Sequence, residues 1–293
     1  MAVMNVLMAT DGSADATQAI QTADRLLKRD GARRIELLCV AGRPGGVHTT
    51  RFHGRTLEKT SEILGRGRAL FRCPGEVHCS TIIGSPAPVI VTKSEDYDVT
   101  VIGARGRRTV GTGGLGHLAS RVVEHAKSPV LVARELRSDE ALRVLIAVDG
   151  STASRRAIEV LTDLFDLAAA EICLMHVEET PWIDLGLDGE WSTYSEEDKE
   201  ASEAGVMEQE LVREGAQVIE TARDLLRPYG VTTRVDEGNP ANEILSEAER
   251  GRYDLVVAGA TGVRDLKHDM LGSVSSKIAW DAPCSVLIVR EPQ

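Results

Sequence analysis

Residues 254–290 combine two apolar runs with a spaced set of glycines. They read Asp254-Leu-Val-Val-Ala-Gly259-Ala-Thr-Gly262, then nine residues, then Gly272-Ser-Val-Ser275, and close with Cys284-Ser-Val-Leu-Ile-Val-Arg290. Glycines at the end of an apolar strand allow a ligand to approach the backbone closely. A helix that begins at Gly272-Ser273 would present free N–H groups and a hydroxyl to an anion. The stretch therefore predicts a strand, a phosphate-binding loop and helix, and a second strand.

The same pattern occurs earlier in the chain, so the sequence contains one unit written twice. Asn5-Val-Leu-Met-Ala-Thr-Asp11-Gly-Ser13 returns as Arg143-Val-Leu-Ile-Ala-Val-Asp149-Gly-Ser151. Val99-Thr-Val-Ile-Gly103-Ala-Arg-Gly106 returns as Leu255-Val-Val-Ala-Gly259-Ala-Thr-Gly262. The 293 residues are enough for two domains of ordinary size. We place unit one at residues 1–135 and unit two at residues 142–293.

Each unit alternates short β-branched apolar runs with longer helical patterns. The first helix of unit one is expected to begin at Ser13 or Asp15, the second covers residues 56–71, and Pro86 begins the third. The expected strands of unit one are residues 3–9, 35–41, 77–83, 98–103 and 129–134. Nearly continuous apolar strands separated by helices predict a buried parallel sheet with helices on both faces. We therefore predict an α/β fold of two tandem five-stranded, three-layer, Rossmann-like sandwich domains.

The spacing Gly-x2-Gly-x9-Gly-Ser between Gly259 and Ser273 resembles the nucleotide-binding signature of the universal stress protein family. The run that ends in Asp149 is similar to that family's first strand and its acidic end. The resemblance covers nearly the whole chain and implies two tandem domains of HUP type. It implies ATP, or ADP or AMP, as the bound ligand. Mg²⁺ would accompany a triphosphate, because nucleoside triphosphates usually carry this ion.

The resemblance also implies roles for residues of unit two. Asp149 would contact the adenine end of the nucleotide and Val177 would line the base. Gly259 and Gly262 would approach the ribose and the first phosphates. The outer phosphates would be held by Gly272, Ser273, Val274 and Ser275. Ordinary structural roles are the alternatives: Ser273 as a helix N-cap, and Asp149 as a cap or turn residue.

Unit one keeps the glycines and changes one residue of the motif. Asp11 and Val40 stand at the ends of its first two strands, as Asp149 and Val177 do in unit two. The equivalent motif residues are Gly103, Gly106, Gly116 and His117, where His117 replaces the serine. An imidazole can still donate to a phosphate, and does so better when protonated. Unit one either binds a nucleotide in a different way or has lost the site.

Charge and composition exclude several classes of function. The net charge of −11 argues against nonspecific nucleic-acid binding, and no apolar run approaches the length of a membrane span. Residues 1–138 carry +7 and residues 139–293 carry −18, so the halves either face each other or each solvates its own surface. Five cysteines without a Cys-x-x-Cys pair argue against a disulfide framework and a zinc site. With no signal-peptide pattern at the N-terminus, these features predict a cytoplasmic protein.

The sequence gives little support for catalysis. Gly111-Thr-Gly-Gly-Leu-Gly116 fits Gly-x-Gly-x-x-Gly formally, but it begins eight residues after the end of the strand, too far for a dinucleotide fingerprint. No Gly-x4-Gly-Lys-Ser/Thr loop is present, and the seven histidines make no metal-binding spacing. We therefore predict no catalytic residue and no metal ligand, and at most weak ATPase activity.

The expected function is ATP- or ADP-dependent regulation in a stress response, through conformation or a partner surface. A nucleotide-free scaffold and a slow ATPase are the alternatives. The last strands, residues 130–134 and 286–290, could pair within one chain to make a pseudo-dimer, which could dimerise again. Residues 178–203 contain ten acidic residues and form either a lid over the site or a solvated loop.

Overall fold

The computed structural model describes residues 4–28, 33–42, 50–72, 77–106, 114–137, 141–179, 203–263 and 270–291. Within these ranges the chain forms ten β-strands and eight α-helices in the predicted alternation. Unit one contains β1 Met4–Ala9, α1 Ala14–Leu26, β2 Arg33–Ala41, α2 Thr50–Arg68, β3 Val77–Ile83, α3 Pro86–Lys93, β4 Val99–Gly103, α4 His117–His125 and β5 Val130–Ala133. Unit two contains β6 Arg143–Ala147, α5 Thr152–Leu164, β7 Glu171–Glu178, α6 Glu203–Leu225, β8 Val231–Glu237, α7 Pro240–Arg250, β9 Leu255–Gly259, α8 Ser273–Asp281 and β10 Ser285–Val289.

Several helices begin at residues that favour a helix start. Ser13 is the N-cap of α1, and its hydroxyl accepts a hydrogen bond from the Ala16 N–H at 3.2 Å. Ser151 caps α5 in the same way, accepting from the Ser154 N–H at 3.1 Å. Pro86 occupies the first turn of α3, as predicted. The second helix begins at Thr50, six residues before the predicted start, and ends at Arg68 rather than at residue 71.

All ten strands lie in one sheet, in the order β3-β2-β1-β4-β5-β10-β9-β6-β7-β8. Every neighbouring pair is parallel except β5 and β10, which are antiparallel, with Val132 opposite Val286 and Val130 opposite Ile288. The α/β prediction is confirmed, and each unit supplies five parallel strands. Because the last strands pair within one chain, the two five-stranded halves form one continuous sheet with the architecture of a pseudo-dimer.

A second contact between the units lies where α1 and α5 end. Leu27 and Phe165 occupy equivalent places in the repeat, are both buried, and form an isolated antiparallel bridge. The Lys28 N–H donates to Leu164 O and the Asp166 N–H donates to Leu26 O, each at 2.9 Å. One hydrophobic cluster contains buried residues of both units. The halves therefore share a core, and backbone pairing and apolar packing both contribute to the contact between them.

Two arginines at equivalent places fasten each unit to the last helix of the other. Arg134 follows β5, and its guanidinium donates to Ala279 O and to Cys284 O, both at 3.0 Å. Arg290 follows β10 and donates to Val123 O at 2.9 Å and to Glu124 O. Burial lowers the pKa of Arg134, although its charge remains because arginine is protonated at any ordinary pH.

No helix in the part of the chain described above is long and apolar enough to cross a membrane.

Candidate functional site

A cavity of about 320 Å³ opens at the carboxyl ends of β6, β7 and β9. From β6 the chain continues to β7 and β8 on one side, whereas β9 lies on the other side of β6. Open parallel sheets bind ligands at such a reversal of strand order, and the cavity has the volume of a small-ligand site. All eight residues predicted for unit two line it: Asp149, Val177, Gly259, Gly262, Gly272, Ser273, Val274 and Ser275.

The amino end of α8 forms one wall of the cavity. Gly272 is the N-cap, and no side chain caps the helix. Ser273 is the first helical residue and is exposed, so the alternative that its hydroxyl is an ordinary N-cap does not hold. An uncapped helix start leaves backbone N–H groups for an anion, and the helix dipole favours negative charge there. This wall suits phosphate oxygens.

Ser275 has a structural contact in addition to its place in the wall. Its hydroxyl donates to Gly259 O at 2.5 Å, and the side chain is 6% exposed. This hydrogen bond fastens the first turn of α8 to the end of β9. The hydroxyl expected to reach the outer phosphates is therefore engaged inside the protein, and Ser273 supplies the exposed one.

Gly259 is required by packing as well as by the cavity. A Cβ built at Gly259 would lie 2.7 Å from the Ser154 nitrogen and 2.8 Å from the Ala153 carbonyl carbon. These backbone atoms belong to the first turn of α5, which rests directly on the end of β9. Gly103 has the same role in unit one, where its Cβ would lie 2.9 Å from Asp15 O. The sequence reading assigned both glycines to ligand approach, whereas the close neighbour in each case is a helix.

Asp149 connects the end of β6 to the glycine loop. One carboxylate oxygen accepts from the Ser151 N–H at 3.0 Å and from the Ser151 hydroxyl at 2.6 Å. The other oxygen accepts from the Val263 N–H at 3.2 Å. The alternative of a turn residue is thus partly right, because Asp149 shapes the turn before α5. The same side chain also lines the cavity and anchors the backbone just after Gly262.

The opposite wall is apolar and contains residues that the sequence analysis missed. Met175 and Val177 come from β7, Val218 from α6 and Ile244 from α7. His176 also lines the cavity, with Nδ1 2.8 Å from Val148 O. The signal for Met175 was available, since it precedes Val177 by two residues and shares its face of the strand. No such signal was available for Val218 on α6. This helix follows the acidic segment, which unit one lacks, so the repeat does not indicate which of its residues face the cavity.

The cavity lining combines negative side chains with the amino end of a helix. Asp149, Glu178, Glu179 and Glu214 line it, and the described lining contains neither lysine nor arginine. Phosphates would be repelled by the carboxylates and attracted by the amino end of α8. No cluster of three or more potential metal ligands occurs among the residues with described positions. Residues 180–202, most of the acidic segment, lie outside the described ranges.

Unit one retains the same framework. The Ser13 N–H donates to an Asp11 carboxylate oxygen at 2.9 Å, and a Cβ at Gly106 would lie 3.0 Å from the other oxygen. Gly116 is the N-cap of α4, again without side-chain capping, so His117 is the first helical residue and is exposed. Val40 lies half-buried near the end of β2, and Gly103 closes β4.

One cation near the unit-one glycines is already paired. Arg105 contacts Asp15 with Nε 3.0 Å from the carboxylate, and both side chains are about one-third exposed. Unit two has Thr261 and Ala153 at the equivalent positions. The unit-one site therefore differs from that of unit two in an ion pair as well as in His117.

A profile described as the universal stress protein family matches the chain twice, at residues 3–134 and 141–290. The chain belongs to the universal stress protein family. This tandem universal stress protein is 26% identical over 298 residues to a universal stress protein of Mycolicibacterium smegmatis, covering 97% of this chain and 96% of the relative. It is 31% identical over 163 residues to one of Methanocaldococcus jannaschii, covering 54% of this chain and 88% of the relative. The crystal structure of a universal stress protein from Archaeoglobus fulgidus has the same fold, with a TM-score of 0.65, 21% identity and 98% of each chain covered.

Proposed function

We propose that this tandem universal stress protein binds ATP or ADP, or AMP, in the cavity of unit two. Binding then changes the conformation or a partner surface during a stress response. The observation that carries the proposal is the pairing, in one cavity, of an uncapped helix start with an apolar wall. Such a combination fits a ligand with a flat apolar ring at one end and an anionic group at the other.

The proposed orientation follows from the apolar side chains and the helix start that line the cavity. The adenine ring packs against Met175, Val177 and Ile244, whose side chains form the apolar wall. The phosphates lie at Gly272 and Ser273, where the α8 N–H groups and an exposed hydroxyl can donate. The reverse orientation would bring the phosphates toward Glu178 and Glu214. Like-charge repulsion in a partly enclosed site disfavours that arrangement.

We also propose that unit one binds a nucleotide through His117 in place of the serine. The framework of Asp11, Gly106 and Gly116 supports this proposal, since it matches that of unit two. An imidazole N–H can donate to a phosphate oxygen in place of the serine hydroxyl. No residue is proposed to catalyse hydrolysis.

Homodimerisation is proposed through a surface other than the last strands. Because β5 and β10 pair with each other inside the chain, they cannot pair with a second molecule. The two ends of the sheet, β3 and β8, remain as edges. A cytoplasmic location is likewise a proposal, supported by the free thiols of Cys39, Cys79, Cys173 and Cys284.

The deciding experiment counts bound nucleotide. The chain is purified without added nucleotide, denatured in acid, and its adenine nucleotides are quantified; calorimetry with ATP then counts the sites. We expect binding at unit two to be lost when Gly272→Val and Ser273→Ala are combined. Gly230→Val is the matched control, because Gly230 is exposed and has open space around its Cβ position. If no nucleotide is retained and ATP produces no binding heat, the scaffold function replaces this one.

A further inference from the structure

Helix α8 reaches a glycine loop of each unit. Its first turn carries Gly272 and Ser273 at the unit-two cavity. Trp280 lies seven residues later, about 10 Å along the axis at the usual helical rise. A Cβ built at Gly114 of unit one would lie 2.6 Å from Nε1 and 2.9 Å from Cε2 of Trp280. The indole of unit two therefore rests on Gly114 of unit one.

Gly114 is shaped for this contact in two ways. Its φ of +74° is a backbone conformation that side chains other than glycine rarely adopt. The missing Cβ also leaves the space that the indole occupies. Two residues later, Gly116 is the N-cap of α4 and His117 is its first residue. The residue that contacts Trp280 is therefore close in sequence to the part of the unit-one motif that is proposed to bind phosphate.

The repeat does not reproduce this contact on the other side. At the offset of 156 residues, Met270 is equivalent to Gly114 and Glu124 is equivalent to Trp280. A methionine and a glutamate at these positions cannot reproduce the packing of an indole ring against a glycine backbone. The connection is thus built in one direction, from the loop of unit one to the helix of unit two.

The carboxyl end of α8 is also held by unit one through hydrogen bonds. The Arg134 guanidinium donates to Ala279 O, next to Trp280, and to Cys284 O. One end of this nine-residue helix is therefore fastened to unit one, while its other end forms a wall of the unit-two cavity. A short helix is stiff, so a displacement at Trp280 shifts Ser273 as well.

We propose that Trp280 completes the unit-one site and couples it to the unit-two site. A nucleotide at Gly116 and His117 fixes the loop on which the indole rests, and the fixed helix then binds the second nucleotide with less loss of freedom. The result is positive cooperativity between the sites, with a change in affinity of about fivefold, at the lower end of usual allosteric coupling. This inference rests on the proposed nucleotide binding, and its test separates the two.

The first measurement uses Trp280 as its own reporter. Trp182→Phe and Trp191→Phe leave Trp280 as the single tryptophan of the chain. With unit two blocked by Gly272→Val, we expect ATP to change the Trp280 fluorescence in a saturable way. A protein that binds ATP at unit one by calorimetry but shows no fluorescence change would overturn the proposal.

The second measurement compares Trp280→Ala and Trp280→Phe with Glu124→Ala, the variant at the equivalent position of unit one. Calorimetry with ATP is expected to show affinity at unit two about fivefold weaker in Trp280→Ala, a smaller loss in Trp280→Phe, and none in Glu124→Ala. Trp280 is 47% exposed, so its truncation is not expected to unfold the chain. Equal two-site binding in all three variants, or binding at only one site in the natural chain, overturns the coupling; absence of ATP binding overturns the proposed function itself.

Discussion

Gly259→Ala tests whether the glycine at the end of β9 is required by packing. The added methyl would lie 2.7 Å from the Ser154 nitrogen, whereas ordinary contact begins at 3.4 Å. Helix α5 would have to retreat by about 0.7 Å to restore contact, and backbone cannot rotate aside as a flexible side chain can. Its buried face, which includes Ala157, Ile158 and Leu161, would then lose contact with the sheet.

Overpacking of this kind costs about 1–3 kcal/mol. The same substitution also reduces the freedom of the unfolded chain, which stabilises the protein by about 0.4–1 kcal/mol. The midpoints of these two ranges leave an expected net loss in the free energy of unfolding of about 1.3 kcal/mol, or about 2 °C in Tm for a chain of this length.

The assay is urea and thermal unfolding of nucleotide-free protein, so that ligand binding cannot contribute. Gly42→Ala is the matched control, because a Cβ there meets nothing within 4 Å, and we expect it to change stability by less than about 0.5 kcal/mol. Gly103→Ala, at the equivalent place in unit one, should behave like Gly259→Ala. If Gly259→Ala unfolds with the same midpoint as Gly42→Ala, packing does not require the glycine and the argument from α5 is wrong.

Three further predictions concern charge and thiols. Arg134→Ala should lower the free energy of unfolding by about 2–3 kcal/mol, because it leaves Ala279 O and Cys284 O without their charged donor; denaturant unfolding measures this, and exposed Arg227→Ala should have almost no effect. Burial alone would raise the pKa of Glu36, but hydrogen bonds from Lys93, Ser80 and Tyr97 outweigh it and lower the pKa below 4.5. The stability that Glu36 adds is therefore present above about pH 4.5 and is lost as the pH falls through the lowered pKa. The free energy of unfolding, measured between about pH 6 and pH 3, should therefore decrease less steeply with falling pH in Glu36→Gln than in the natural chain. Burial raises the pKa of Cys284 to about 12, so mass mapping of the folded protein after alkylation at pH 8 should find Cys79 modified before Cys284, Cys39 or Cys173.

The sequence predicted the elements that carry a periodic or capping signal. Pro86 and Ser13 marked helix starts correctly, and the apolar runs gave all five strands of unit one to within two residues. The start of α2 was missed because residues 50–55 contain no apolar periodicity strong enough to extend the pattern. The pairing of β5 with β10 was predicted only as a possibility, since a buried apolar strand does not reveal which neighbour covers its edge.

The repeat also brought the residues of the candidate site to one cavity, although their contact with nucleotide and the limits of units one and two stay predictions. Equivalent strand ends in a parallel sheet share one edge, so spacing alone could gather Asp149, Gly259 and Ser273. It could not reveal that Ser275 is engaged by Gly259 O, or that Trp280 crosses to the other unit. Those facts depend on side-chain directions, which become fixed only when helices and strands pack.

The two units differ most clearly in the ion pairs around an equivalent tyrosine, which is Tyr97 in unit one and Tyr253 in unit two. Burial is the largest cause that raises the pKa of each. For the pKa of Tyr97 the next cause is the hydrogen bond with Glu36. For the pKa of Tyr253 it is the hydrogen bond with Cys173, followed by the charge of Glu247. In unit one the acid is Glu36 on β2 and its partner Lys93 lies on α3. In unit two the position of Lys93 is taken by Glu247 on α7.

The cation of unit two has moved as well. Arg234 on β8 lies 3.6 Å from the Glu247 carboxylate, while Cys173 stands where Glu36 stands in unit one. The acid of unit two thus lies on the helix equivalent to that of Lys93, and its cation lies on β8, next to the strand equivalent to that of Glu36, while the backbone remains the same. A fold that accepts either arrangement is determined by its strands and helix starts, so the ion pairs of one unit cannot be inferred from the other. The same reasoning applies to His117, whose ligand must be measured in unit one itself.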